Sequence, residues 1–369
     1  MMSLNNQFPS KLRIRAGSGL ITQIRDEGIA PERIRVFAGP ATGPRWCSFA
    51  AIDEVIARTA ALQQGPARVL LSGASAGAWR MAALACKDPL EALARFRQAY
   101  IHMHFGSAES TMDRLETVRK AVRAFISEED AGYVTSHPSY DLSIQTARLR
   151  HLLASNLAPL SFVGFALAMG FHFMTPRFER LFWENVSFTT TSEPRENGRA
   201  SRVWRRFPLV RNHLRLILAA TGAVPFRVGP VRGISGAPAG AYCDGGLAEY
   251  VWKHEPDLNP DEIVLIVHHG GPLYPSWLDK KAPTLYGRLP GLNQVVTVSP
   301  GPRYVETLPD GRFPDRDDWI RFKDEPQERI RRWNQAVSQS VELGDLFEEL
   351  ISGASPGDRV EPLRGNETV

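Results

Sequence analysis

Residues 67–85 read ARVLLSGASAGAWRMAALA: a short apolar run, a serine bounded by glycines, then small helix-forming residues. Ala67 to Ser72 has the length and composition of a buried strand, and Ala76 to Ala85 those of a helix with one small face. Gly73-Ala74-Ser75-Ala76-Gly77 joins them as G-x-S-x-G. Between a strand and a helix this pattern forces the serine into a sharp turn. The flanking glycines let the two backbones approach, and Oγ projects from the sheet edge. The helix N-terminus lies beneath, so the Ala76 N–H faces any negative oxygen held there. A glycine-rich turn with an incidental serine is the competing reading.

Upstream, Arg33 to Ala38 (RIRVFA) repeats the strand signal. Phe49 to Leu62 places Ile52, Val55, Ile56 and Ala60 at helical spacing. Strand, helix and strand in that order make a right-handed βαβ unit of a parallel sheet. Downstream, Pro89 opens a helix to Tyr100. Ile263 to His268 (IVLIVH) and Gln294 to Val298 (QVVTV) read as two further core strands. The fold class is therefore α/β with a mainly parallel sheet. Helices are expected over Ser110–Glu128, Leu142–Asn156, Asn212–Thr221 and Pro326–Ile351. Ser187 to Arg206 is polar and aperiodic, a long surface loop or β-excursion.

Leu157 to Met174 is the most apolar stretch, interrupted by Pro159, Ser161 and His172. At 18 residues it falls short of the roughly 20 that span a bilayer. A buried or lid helix over an acyl channel is the favoured reading; an interfacial segment in peripheral membrane contact and a span stand as alternatives. As a lid, it would bring Phe162, Phe165, Phe171 and Phe173 to the pocket wall.

The charge pattern excludes little. The 37 arginines and 7 lysines are interleaved with 40 acidic residues for a net +4, without the stripe or motif of a nucleic-acid binder. Arg195 to Arg215 could touch anionic head groups, though a salt-bridged, solvated face explains them as well. Cys47, Cys86 and Cys243 are too scattered for a disulfide framework or a zinc site, and no signal-peptide run opens the chain; a reducing, cytoplasmic setting is expected.

Two further segments carry chemistry. Ala38 to Trp46 follows the first strand and so emerges at the same sheet edge as Ser75. Because Pro40 and Pro44 lack an N–H, Ala41, Thr42, Gly43 and Arg45 are left as amide donors to an oxyanion, unless this is an ordinary βα loop. The third segment is Ala241-Tyr-Cys-Asp-Gly-Gly-Leu247, where Gly245 and Gly246 let the Asp244 carboxylate approach another backbone closely.

GASAG, a glycine-bearing loop after the preceding strand, a later DGG and the stretch Leu218 to Pro225 (LAATGAVP) together resemble the patatin-like phospholipase family over about residues 33–249. The resemblance implies a three-layer α/β/α fold and a Ser-Asp dyad cleaving lipid esters, with Ser75 as nucleophile and Asp244 as base. It also makes Ala41 to Arg45 the oxyanion loop, and it calls for no metal and no cofactor. The catalytic domain is expected over 31–352, with 157–206 as a lid or lipid-facing insertion. An N-terminal extension (1–30) precedes it and a polar, disordered tail (353–369) follows. The loop departs from the family's three glycines by carrying Ala41 and Thr42; either one at positive φ would cost on the order of 1 kcal/mol.

The runner-up is a Ser-His-Asp esterase drawing on His254, His268 or His269. An inactive lipid-binding scaffold is a third reading. His102-x-His104 has the look of a metal pair but lacks a third ligand. The acyl ester substrate and the oligomeric state are not written in the sequence.

Overall fold

The computed structural model describes residues 11–59, 68–106, 108–155, 157–174, 179–191, 204–252, 258–279 and 291–363. Ten strands form one sheet: β1 (Leu12–Ala16), β2 (Ile34–Gly39), β3 (Val69–Ala74), β4 (Tyr140–Leu149), β5 (Trp183–Thr189), β6 (Trp204–Pro208), β7 (Ala241–Cys243), β8 (Ile263–Val267), β9 (Val295–Pro300) and β10 (Val360–Pro362). Their order is β10-β1-β9-β8-β2-β3-β4-β5-β6, with β7 also on β4. The central run β9-β8-β2-β3-β4 is parallel. β1 joins β9, and β5 and β7 join β4, antiparallel.

Both faces of the sheet are buried, as the apolar strands require. Phe37, Leu71, Leu265 and Val296 face the core shared with the helices Ala50–Arg58, Ala76–Leu84, Pro89–Ile101, Thr111–Phe125, Arg211–Thr221 and Pro326–Gln339. Their neighbours Val36, Leu70, Val264 and Val295 face the opposite side, where Tyr250, Trp252 and Leu273 cover them. Beyond these, the helix Ala158–Met174 packs over Ala147, Leu149 and Trp183. The result is a three-layer α/β/α architecture with a mostly parallel sheet.

Several sequence expectations are corrected. Leu142–Asn156 is not a helix: residues up to Leu149 form β4, and His151–Ala154 make a 3-10 turn. β4 is buried throughout its central length, and the polar residues that alternate along it, Asp141, Ser143 and Gln145, are buried with it. Its polar residues bond across strands instead: Gln145 Nε2 donates to Ser72 Oγ at 2.9 Å, and Ser143 and Ser187 hydroxyls meet at 2.8 Å. Ser187–Thr189 and Trp204–Arg206 belong to β5 and β6, leaving only part of the expected loop; residues 192–203 lie outside the described residues. Pro326–Ile351 is two helices that meet at Ser340.

The ends of the chain are also more integrated than expected. Leu12–Ala16, within the supposed extension, is β1, and Val360–Pro362, within the supposed tail, is β10 paired with it in parallel. Residues 364–369 lie outside the described residues.

Candidate active site

Strands β3 and β7 run toward each other along β4. Ala74, the last residue of β3, is opposite Gln145, and Cys243, the last of β7, is opposite Ala147. Only Thr146 separates those two positions. The chain leaves β3 as Ser75 and leaves β7 as Asp244, so the topology delivers both to one gap. There Ser75 Oγ donates to Asp244 Oδ2 at 2.8 Å.

The turn is held on both sides. Ser75 takes φ 54 and ψ −132, a conformation an L residue adopts only under constraint. Its amide donates to Thr221 Oγ1 at 2.8 Å, and Thr221 Oγ1 donates to the Gln145 carbonyl at 2.6 Å. Two residues on, the Ala223 carbonyl accepts from the Asp244 amide at 2.9 Å. The segment that resembled the family thus ties the serine and the aspartate to one frame. Gly245 has to be glycine here, since a Cβ would lie 2.0 Å from the Gln145 carbonyl.

Asp244 is buried, and burial pushes its carboxyl above the usual carboxylate range. The Ser75 hydroxyl, the Gly246 amide (2.7 Å to Oδ1) and the Arg316 charge oppose that rise without cancelling it. Arg316 lies over the loop that carries Gly43, its Cγ 3.5 Å from the point a Gly43 Cβ would occupy. It was invisible in the sequence, one arginine among many in the least diagnostic third of the chain.

The expected donors divide into two groups. The Ala41 amide donates to the Tyr250 carbonyl at 2.9 Å and the Thr42 amide to the Pro40 carbonyl at 2.8 Å, so both are committed elsewhere. This corrects the expectation that either amide serves an oxyanion. Thr42 sits at φ −79, and among these loop residues the left-handed region is used by Gly43 alone, at φ 56; the missing glycines therefore cause no strain. Gly43 opens a 3-10 helix and Ala76 opens the helix Ala76–Leu84. As first residues of helical turns, their N–H groups have no intrahelical acceptor. Thr42 retains a buried hydroxyl without a partner. Arg45 anchors the loop through its ion pair with Asp315.

A cavity of about 870 Å³ opens onto these groups, with Trp79, Tyr100, Phe105, Val118 and Val224 among its apolar lining. Phe162, Phe165 and Phe171 do not line it, contrary to expectation; Phe165 reaches it only through Trp277, stacked at 5.8 Å between ring centroids. The side chain of Phe173 lies outside the described residues.

The histidines expected for a triad are elsewhere. His268 is buried at the end of β8, its pKa pushed down to about 3 mainly by burial, and its Nδ1 accepts the Gly270 amide at 3.2 Å. His269 packs its ring against Tyr250 and Phe313. Neither lines the cavity. His254 lies outside the described residues. His104 does line the cavity, while His102 turns to the Gln98 carbonyl at 2.9 Å, so the His-x-His pair does not converge on one point.

No family model matches this sequence, and no curated protein does. Among solved structures, the crystal structure of VipD from Legionella pneumophila aligns with a TM-score of 0.33 and 10% identity, covering 94% of this chain and 72% of that one. A likeness that remote carries no weight for the chemistry, which rests on the site itself.

Proposed function

We propose that this protein is a patatin-like serine acylhydrolase that cleaves carboxylic ester bonds of lipids through a Ser75–Asp244 dyad. The observation that carries the reading is the 2.8 Å hydrogen bond from Ser75 Oγ to the buried Asp244 carboxylate, made from a strained turn at the wall of a large cavity.

As Oγ attacks the ester carbonyl, Asp244 takes its proton. The carbonyl oxygen becomes an oxyanion that the Ala76 and Gly43 N–H groups are free to receive, with the Thr42 hydroxyl as a further donor. Asp244 then returns the proton to the departing alcohol, leaving an acyl-enzyme on Ser75. Water, deprotonated by the same carboxylate, attacks the acyl carbon and releases the acid. A carboxylate is a weaker base than imidazole, so its raised pKa brings it closer to the proton it must accept. The apolar wall around Trp79 and Val224 suits an acyl chain.

A fluorophosphonate probe and a chromogenic short-chain ester test this reading. Ser75→Ala should lose labelling, and Asp244→Asn should lower kcat/KM by about a thousandfold or more. His104→Ala, His254→Ala, His268→Ala and His269→Ala should each retain most activity. A histidine variant as inactive as Ser75→Ala would replace the dyad with a triad, and no labelling of folded wild type would leave the lipid-binding scaffold.

A further inference from the structure

The helix Ala158–Met174 is inverted for a water-facing helix. Its inward side is Ala168 and His172, both buried, Gly164, where a Cβ would lie 2.7 Å from the Leu153 amide, and the partly buried Phe165 and Met169. Its outward positions hold the bulk: Leu160, Phe162, Val163 and Leu167 are exposed, Phe162 by 63%. A surface helix ordinarily places its polar residues outward. This one has no Asp, Glu, Lys or Arg in any of its 17 positions.

The apolar face does not end with the helix. Leu157 extends it at one end, and Phe226 is set against it, with ring centroids 6.2 Å from Phe162 and 5.0 Å from Phe165. Phe226 is 41% exposed and sits at φ 65, a region that a bulky residue occupies only when its surroundings hold it there. Its neighbours Pro225 and Arg227 line the cavity, as does Trp277 beneath Phe165. The apolar surface therefore runs continuously to the cavity wall.

The rim is basic. Arg227 is exposed beside Phe226, and the exposed Arg232 donates to the Ala154 carbonyl at 2.6 Å where the chain approaches the helix. A second copy docking through the same face would bring two such rims together, whereas anionic head groups would neutralise them. The helix spans roughly 25 Å, and among the described residues no helix is long and apolar enough to cross a membrane. A helix of this length with its bulk on one side suits lying in an interface.

We propose that the outward face of this helix, with Leu157 and Phe226, docks on a bilayer surface that contains anionic lipid. Docking there presents the cavity to acyl chains of that surface; this second part rests on the acylhydrolase reading, and the docking itself does not.

The test sediments the full chain with vesicles of phosphatidylcholine and phosphatidylglycerol and compares wild type with Phe162→Asp/Leu167→Asp. Wild type should pellet with the vesicles, and the variant's bound fraction should fall about tenfold or more, since two large side chains lose their burial. Both proteins should cleave a short water-soluble ester within about twofold of each other, as neither residue touches the cavity. If the aspartates prevent folding, Phe162→Ala/Leu167→Ala serves, with a smaller loss. Wild type remaining in the supernatant, or a variant pelleting as wild type does, overturns the docking. So does a wild-type dimer that the variant makes monomeric without any vesicle binding. Vesicle binding lost in the variant, with no ester cleaved by either protein, supports the docking and removes the acylhydrolase reading alone.

Discussion

The carbonyl oxygen of Gly39 lies 1.9 Å from the point where a Cβ on Gly77 would sit. Strand β2 and the helix that follows Ser75 touch backbone to backbone at this point, and the Pro40 carbonyl, 2.5 Å away, closes the other side. Neither atom belongs to a side chain that could turn aside. Gly77→Ala should therefore destabilise the protein by more than about 3 kcal/mol, or prevent soluble expression. Denaturant unfolding with an unchanged midpoint would refute the close approach.

Strain at Ser75 gives a second expectation. At φ 54 and ψ −132, alanine keeps the penalty that serine bears, whereas glycine escapes it. Ser75→Gly should be more stable than Ser75→Ala by about 1 kcal/mol, after glycine's greater unfolded-state entropy is subtracted from a larger relief of strain. Thermal melts of the two variants decide it. Alanine melting higher than glycine would mean that the turn is unstrained.

The raised pKa of Asp244 couples activity and stability to pH in opposite senses. As a base the carboxylate works only when ionised, so kcat/KM should fall with acid through a pKa above the ordinary value of 3.8. For stability, the fold disfavours the ionised form. That penalty is absent below the unfolded pKa, grows as pH rises toward the folded pKa and is constant above it. Asp244→Asn should thus gain on wild type in melting temperature at neutral pH, with the gain shrinking near about pH 4. A gain that is constant across this range, or reversed, would show that the carboxylate is not penalised by burial.

The residues of the candidate site were legible in the sequence because each stands in a local setting with a single backbone explanation: GASAG between strand and helix, DGG after a strand. Their convergence was expected only through the family resemblance and not from the local residues, since it depends on β7 entering antiparallel beside β4, and most of β4 was read as a helix. Tyr140 to Leu149 carries a strand's alternation, with Asp141, Ser143 and Gln145 between Tyr140, Leu142 and Ile144, but its polar positions are buried and bonded across strands, and the helix reading of Leu142–Asn156 passed over that period. β10 was missed because three residues carry no periodicity, whereas β1 does alternate, Leu12, Ile14 and Ala16 with Arg13 and Arg15, and was passed over as part of an extension. Which amides of the Ala41–Arg45 loop are committed was not legible, because the Ala41 amide is taken by the carbonyl of Tyr250, more than 200 residues away in sequence.

The last expectation concerns what holds the helix under Ser75. Arg80 donates from Nε and Nη2 to both carboxylate oxygens of Asp53, at 2.6 and 2.7 Å, and both side chains are almost wholly out of water. The pair joins the helix Ala76–Leu84 to the helix Ala50–Arg58, and the Phe49 ring lies 4.9 Å from the guanidinium carbon. A buried pair repays its desolvation only in good geometry, so breaking it from one side leaves a bare charge in the core. Arg80→Met should lower stability by about 3–5 kcal/mol. Adding Asp53→Leu removes the stranded carboxylate and should restore most of that loss, as apolar replacements of a buried pair are often neutral. The double-mutant cycle read by denaturant unfolding tests this directly. If the two losses simply add, Asp53 is not buried against Arg80 in the folded protein, and the anchoring of the helix must come from packing alone.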